Sequence, residues 1–366
     1  MQEFLKRVIL LLLPVLLAVV GVNYFGDAAN LFSDSYETNV ASEIAKGNNV
    51  TNILNCDERD LQRLIIEKLK TCPEIVVLGS SRIMEIRESM FKDSSLLNNG
   101  VSGATIEDLM AFVELYQEKK CLPKKIIIGL DPWTLNKNNE QVRWKPLEKQ
   151  YRLFQKRVNI GHMAMFDVGF KAQLKNDIKS QIKYYQLFSP SYFKSSLNTL
   201  LFKDKNVRIT KVNVNDTFTR LSDGSVSYDL KYRSAGSAEV DKRVSEYIRG
   251  NLYSVQNFTE LDKNIQFQLE CIIKYLQSKN VEIEFFLAPY HPDVYQVVEK
   301  EPYLKVVDSE KYFNSLALQY HIKVYGSFDP RPYRLTKSSF YDGMHCDFRA
   351  INFLLKNSRF NSSKVL

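Results

Sequence analysis

The strongest constraint on how this chain can fold is the recurrence of short, mostly apolar runs that end in turn residues and alternate with stretches of helical spacing. Glu74 to Leu78, Lys125 to Leu130, Val281 to Leu287 and Ile322 to Tyr325 are such runs. Each is too short for a helix, and Glu74 to Leu78 and Lys125 to Leu130 have the continuous apolar run of a strand buried on both faces. Leu61, Leu64, Ile65 and Leu69 have helical spacing within Asp60 to Lys70, and helices are likewise expected over Thr105 to Lys119, Asp262 to Lys279, Asp308 to Tyr320 and Asp347 to Lys356. Strand followed by helix, repeated, predicts an α/β fold with three layers around a doubly wound, mainly parallel sheet. In such a sheet the ligand groups gather at the carboxyl ends of the strands.

The alternation stops after Trp133. Residues from about 134 to 260 read as a long mixed insertion rich in aromatic and basic side chains, with a hairpin over Arg220 to Asp229 turning at Asp223 and Gly224. A lid or polymer-contacting surface and an extra structural subdomain both fit this insertion. With 366 residues, 45% of them hydrophobic and 25% charged, the chain can bury a large core, and disorder is not expected.

At the N-terminus Lys6 and Arg7 precede an apolar run from Val8 to Val22, with Tyr24 and Phe25 beyond. The cationic flank should remain in the cytoplasm, so residues 1–29 are expected to be a membrane-spanning anchor that exports the rest of the chain. A cleaved signal peptide, with Gly26 and Ala28 before the cut and a mature start near Ala29, is the other reading of the same segment. Residues 30–56 are polar and weakly patterned and are expected to be a spacer, with the folded domain over 57–366.

The formal charge of +8 is spread along the chain rather than gathered in blocks, and no zinc-finger spacing, basic zipper or aromatic RNA-binding signature occurs. Nucleic acid is therefore not an expected partner. The five cysteines are far apart, without a C-x-x-C pair or a cluster with histidine, so no metal site and no cofactor is expected. An odd count leaves at least one thiol unpaired, and Cys346 beside His345 reads most simply as a small buried apolar residue.

Two segments carry the chemistry. Gly79-Ser80-Ser81-Arg82 puts a serine hydroxyl at the end of a strand and the expected start of a helix, where backbone N–H groups favour developing negative charge. It lacks the G-x-S-x-G elbow of the α/β-hydrolases, and a serine there also suits a helix cap. Near the other end, Tyr341-Asp342-Gly343-Met344-His345 sets an acid three residues before a histidine, a spacing that supplies a base and its orienting carboxylate from one turn. His291, after the strand ending near Leu287, is a candidate substrate contact or a structural loop histidine.

Taken in order, these blocks resemble the SGNH (GDSL-type) hydrolase superfamily. Gly79, Ser80 and Ser81 look like its first block, with Ser81 at the nucleophile and Ser80 where aspartate is usual. Asn98 to Thr105 looks like the second, which implies that Gly103 contributes an oxyanion-hole N–H together with Ser81. Asp342 and His345 match the closing D-x-x-H block, which implies that His345 is the general base and Asp342 its partner. The third block departs from the pattern: Gly129-Leu130-Asp131-Pro132 has Asp131 where an asparagine donor is usual, and an ionised carboxylate cannot donate. Either the hole relies on the backbone N–H groups, or Asp131 holds Arg82 or a sugar hydroxyl; Arg82, Asp131 and His291 are thus the candidate substrate-binding residues.

The resemblance covers about Pro73 to Trp133 and Val281 to Leu355 and leaves the insertion unexplained. It implies a flavodoxin-like fold. It also implies an acyltransferase or esterase acting on O-acyl groups of a cell-surface polysaccharide or other acylated glycan, beside a membrane and a multispanning acyl donor protein. The expectation from another class is a non-catalytic polymer-binding or assembly subunit on a degenerate fold of the same kind.

Overall fold

The computed structural model describes residues 2–28, 31–32, 35–53, 56–160, 184–202, 207–250 and 252–357. In chain order the first part runs α1 (Gln2–Gly26), α2 (Ser35–Ala45), β1 (Asn49–Thr51), α3 (Glu58–Lys68), β2 (Ile75–Leu78), β3 (Leu96–Asn98), α4 (Ile106–Glu118), β4 (Lys125–Gly129) and α5 (Glu148–Arg157). Strands β5 (Arg208–Thr210), β6 (Thr219–Arg220), β7 (Val226–Ser227), β8 (Glu282–Leu287) and β9 (Lys323–Gly326) follow, with helices at Pro190–Phe202, Ser237–Arg249, Lys263–Ser278, Lys305–Gln319 and Phe348–Lys356 among those between and after them.

The fold is α/β, built on a five-stranded sheet in the order β3-β2-β4-β8-β9, every pair parallel. Counted along the sheet's own strands this is the 2-1-3-4-5 order of a doubly wound sheet, whose direction of winding reverses between β2 and β4. Side chains alternate between two cores, as strand geometry requires. Val76, Leu78, Ile126, Ile128, Phe285 and Leu287 face the larger one, with α3, α4 and the helices Lys263–Ser278 and Lys305–Gln319. Ile75, Val77, Ile127 and Phe286 face a thinner one closed by Ile351 and Leu354 of the last helix and by loop residues such as Ile83 and Phe340.

Helix starts are capped as their sequences prescribe: Asp57 accepts the N–H groups of Arg59 and Asp60, Asp262 those of Asn264 and Ile265, and Asp347 that of Ala350. Asp108, in the capping box of α4, is also buried in a two-bond pair with Arg59 at 3.0 and 2.9 Å, which joins α3 to α4.

Three expectations need correction. The stretch read as a spacer, 30–56, carries α2 and β1, with Val40, Ala41, Ile44 and Val50 fully covered. Strand β1 pairs antiparallel with β5 and β6 and so forms a second, four-stranded sheet with the insertion, in the order β5-β1-β6-β7. The helix expected after Ser81 is only a three-residue 3-10 turn, Ser81–Ile83, so no long helix dipole points at the serine. The expected membrane-spanning anchor over 1–29 is not supported: among the described residues no helix is long and apolar enough to cross a membrane.

Helix α1 contains Pro14 and a fully buried Asn23. The Asn23 amide donates to the carbonyls of Gln186, Leu187 and Ser189 at 3.0, 2.8 and 3.3 Å. Asp27 accepts the Tyr192 hydroxyl at 2.8 Å, so the end of α1 is folded against the insertion. Ala29, the alternative mature start, lies outside the described residues, as does part of the insertion at 161–183 and 203–206.

The hairpin at Asp223 and Gly224 forms as expected, β6 pairing with β7, with Gly224 at φ +76°. It docks on the sheet's loops: Asn98 N–H donates to the Asp223 carbonyl at 2.8 Å, Val226 N–H to the Met84 carbonyl at 2.9 Å, and Glu88 N–H to the Asp223 carboxylate at 2.8 Å.

Candidate active site

Ser81 follows β2 and Asp131 follows β4, so both stand at the reversal point of the sheet. The close approach of these two strand ends demands glycine. A Cβ on Gly79, which has φ +150°, would lie 2.8 Å from the Gly129 carbonyl oxygen, and one on Gly129 would lie 2.5 Å from Ile83 Cγ2. The turn after Gly79 is held by Ser80, whose hydroxyl accepts the Arg82 N–H at 3.2 Å.

His345 reaches Ser81 from the far end of the chain. Its Nε2 lies 2.9 Å from Ser81 Oγ, and its Nδ1 lies 2.9 and 3.1 Å from the two oxygens of Asp342. The carboxylate requires the proton on Nδ1, which leaves Nε2 as acceptor for the serine hydroxyl, an assignment made from geometry. Asp342 Oδ1 also accepts the backbone N–H groups of Met344 and His345, both at 2.8 Å. Burial opposes ionisation of Asp342, but the charge and hydrogen bond of His345 and the donors around it hold the carboxyl well below the usual range.

Arg82 is fully buried beneath this group. Its Nε donates to the Met344 carbonyl at 3.0 Å, one terminal nitrogen to Asp131 at 2.9 Å and the other to the Ala288 carbonyl. The guanidinium also lies 4.2 Å from the Tyr290 ring centroid and 5.8 Å from that of Trp133. One cation thus ties the ends of β2, β4 and β8 to the residue preceding His345. Burial pushes the Asp131 carboxyl up while Arg82 beside it pulls it down.

Of the sequence candidates, Ser81, His345 and Asp342 come together and Gly103 sits in the second-block loop with φ +60°. Arg82, Asp131 and His291 do not serve as exposed substrate contacts, because each is buried, Arg82 and Asp131 against one another. His291 Nδ1 accepts the Asp293 N–H at 3.2 Å and its ring packs edge-on to Phe340. Asp241, His291 and Asp293 bring ligand-type atoms within 4.8 Å of one another. Lys337 already occupies that cluster, 2.6 Å from Asp293 and 3.9 Å from Asp241, so an ammonium supplies the positive charge. Trp133 and Tyr290 are likewise buried and pack on Arg82.

Residues that the sequence did not single out come from the insertion. Tyr232, on the short helix Leu230–Arg233, donates its hydroxyl to Asp342 Oδ2 at 2.6 Å. Tyr228 donates to the Ser81 carbonyl at 3.4 Å. Tyr247 lies against Gly343, where a Cβ would come within 2.6 Å of its ring, and its hydroxyl accepts the Tyr253 N–H at 3.1 Å. The Tyr253 hydroxyl abuts Gly103 so closely that a side chain there would collide with it, and it has no hydrogen-bond partner among the described residues.

The one sequence signal for these residues is the aromatic density of the insertion, which does not indicate where a ring will dock. A cleft of about 450 Å³ opens beside the group, walled in part by Tyr232, Arg233, Asp241, Lys337 and Tyr341. Tyr232, one of its walls, also donates to the Asp342 carboxylate. No protein-family model, curated protein or solved structure matches this chain.

Proposed function

We propose that the protein is a serine-dependent enzyme of O-acyl chemistry, an acyltransferase or carboxylic ester hydrolase, with Ser81 as nucleophile, His345 as general base and Asp342 as its orienting partner. The observation that carries this reading is the unbroken chain of contacts from Ser81 Oγ to His345 at 2.9 Å and from His345 to Asp342 at 2.9 Å. A base within hydrogen-bond reach of a hydroxyl, itself oriented by a carboxylate, is the geometry nucleophilic catalysis needs.

In the proposed reaction Ser81 Oγ attacks the acyl carbonyl as its proton passes to His345 Nε2. The tetrahedral intermediate then expels the alcohol, which takes that proton. Water or a sugar hydroxyl completes the cycle by the same steps, and that choice separates esterase from transferase. The N–H groups of Ser81 and Gly103 are the proposed oxyanion donors. The Tyr253 hydroxyl, buried beside Gly103 and without a partner among the described residues, is the group proposed as a third donor in place of the one Asp131 does not supply.

The substrate we favour is an O-acylated extracytoplasmic glycan, acted on beside a membrane and with a multispanning protein as acyl donor. The Cys72–Cys121 disulfide supports an oxidising compartment. Exposed Leu10, Leu11, Leu12, Val15 and Leu17 on α1, preceded by Lys6 and Arg7, support attachment to a lipid surface. The rival reading, a non-catalytic polymer-binding or assembly subunit, draws on Asp131, whose carboxylate is committed to Arg82.

The test is intact-mass analysis of the full chain after exposure to a serine-reactive fluorophosphonate. One adduct that is lost in Ser81→Ala and falls by about 10³-fold or more in His345→Ala supports the enzyme. A folded wild-type chain that forms no adduct supports the binding subunit.

A further inference from the structure

We propose that Tyr232 is a positioning residue for this group: its hydroxyl shares the Asp342 carboxylate with His345 and thereby sets how firmly that carboxylate holds the protonated imidazole. The inference rests on the serine-enzyme reading above and adds a fourth member to it, supplied by the insertion.

Among the described residues the Asp342 carboxylate has four donors. Oδ1 takes the N–H groups of Met344 and His345, while Oδ2 takes His345 Nδ1 at 2.9 Å and the Tyr232 hydroxyl at 2.6 Å. The phenol is therefore the shortest of these contacts, and it competes with the imidazole for the same oxygen. It also lies 3.4 Å from His345 Nδ1, close enough to limit rotation of the ring.

Tyr232 is itself clamped. Asp229 caps its short helix by accepting the Tyr232 N–H at 2.9 Å, and the Arg243 guanidinium lies 4.9 Å from the ring centroid. Arg243 also donates to the carbonyls of Tyr232 and Tyr341, both at 3.2 Å. The Tyr228 and Tyr341 rings pack at 5.1 and 5.3 Å. Burial, then the negative charge of Asp342, pushes the phenol far above its ordinary value, so it remains a donor throughout the working pH range.

A donor to a carboxylate withdraws charge from it, so removing the donor strengthens the attraction between Asp342 and a protonated His345. The groups facing His345 from the elements packed on it are Ser81, Asp342, Tyr232 and the Tyr228 ring, with Glu85 and Asp131 the further charges that act on it. Burial pushes the Glu85 carboxyl up to about 7, so the comparison is made with Glu85→Gln throughout.

The experiment follows the rate of fluorophosphonate addition to Ser81 in the full chain between about pH 5 and 9. Tyr232→Phe is expected to move the acid limb to higher pH by roughly half a unit to one unit, with the alkaline plateau lowered less than tenfold. A 3,5-difluorotyrosine at position 232, a stronger donor of the same shape, is expected to move the limb the other way. Opposite shifts are not produced by a residue that merely packs, and the second variant keeps the test intact if the first melts early. A limb unmoved in both variants overturns the proposal while leaving the serine-enzyme reading in place. A folded wild-type chain without any Ser81 adduct overturns both.

Discussion

The parallel sheet and the insertion contribute to the same site in different ways. The sheet supplies Ser81 and the buried Arg82–Asp131 pair from the ends of β2 and β4, positions that follow from strand order alone. The insertion supplies Tyr228, Tyr232, Tyr247 and Tyr253, which approach from above and touch groups whose places are already determined. The first set is held by strand registers and a fully buried cation, the second by ring packing and single hydrogen bonds. The contrast separates residues that hold the sheet's strand ends and the His345 loop in place from residues that adjust the site's chemistry, and it can be broken by substitutions on either side.

The largest effect is expected in the sheet. Arg82→Met leaves Asp131 buried without its cation and frees the Met344 carbonyl, so a loss of about 3–5 kcal/mol in chemical denaturation is expected, together with loss of fluorophosphonate labelling. A variant that keeps wild-type stability would show that the pair does not hold the strand ends together.

Next is Glu85, which lies where the two regions meet, 3.1 Å from Arg87 and beside Tyr341. Burial raises its carboxyl from 4.5 to about 7. A raised acid is destabilising once ionised: the cost is absent below about pH 4.5, grows as pH rises through the window, and is complete above about 7. The stability of Glu85→Gln relative to wild type should therefore improve by up to about 3 kcal/mol between pH 5 and 8 in denaturant titrations. A pH-independent difference would show that Glu85 ionises freely.

Tyr253→Phe tests the insertion's share of the chemistry. It keeps the edge-on packing against Trp133, at 5.1 Å between ring centroids, and removes only the hydroxyl. Labelling of Ser81 is expected to slow by about 100-fold with an unchanged melting temperature, the lower end of what losing one oxyanion donor costs. Unchanged labelling would leave Tyr253 as packing alone.

The smallest effect is expected where the hairpin docks. Asp223→Ala removes the acceptor of the Glu88 and Ser225 N–H groups, at 2.8 and 3.0 Å, and should cost about 1–2 kcal/mol with little change in labelling rate. A large fall in labelling would mean that the insertion holds the serine turn as well as adjusting it.

Strands β2, β4, β8 and β9 and the helices between them were legible because short apolar runs and helical spacing are local signals that burial on both faces leaves in a sequence. Strand β3 was not, since three residues, Leu96–Asn98, are too few to show a period. The helix expected after Ser81 failed because the chain turns instead to pair as β3 and to bury Ile83 and Ile86 in the thinner core. Polarity misled over residues 30–56, where β1 pairs with strands of the insertion and α2 packs its buried face on α3 and β1. Among the site residues, Ser81, Asp342 and His345 carried short-range spacing that could be read. Arg82 and Asp131 were named, with their pairing as one of the duties open to Asp131, but the full burial of that pair was not foreseen.

What the sequence determined by itself is the α/β alternation, the serine turn at Gly79 to Arg82 and the Asp342-to-His345 spacing, because each depends on residues within a few positions of one another. Only the tertiary structure decided that Ser81 and His345, 264 residues apart, meet at 2.9 Å. It alone decided that Asp131 serves Arg82, and that a tyrosine from the insertion donates to the Asp342 carboxylate. Contacts of that kind depend on how elements distant in the chain pack together, and no local period or motif records it.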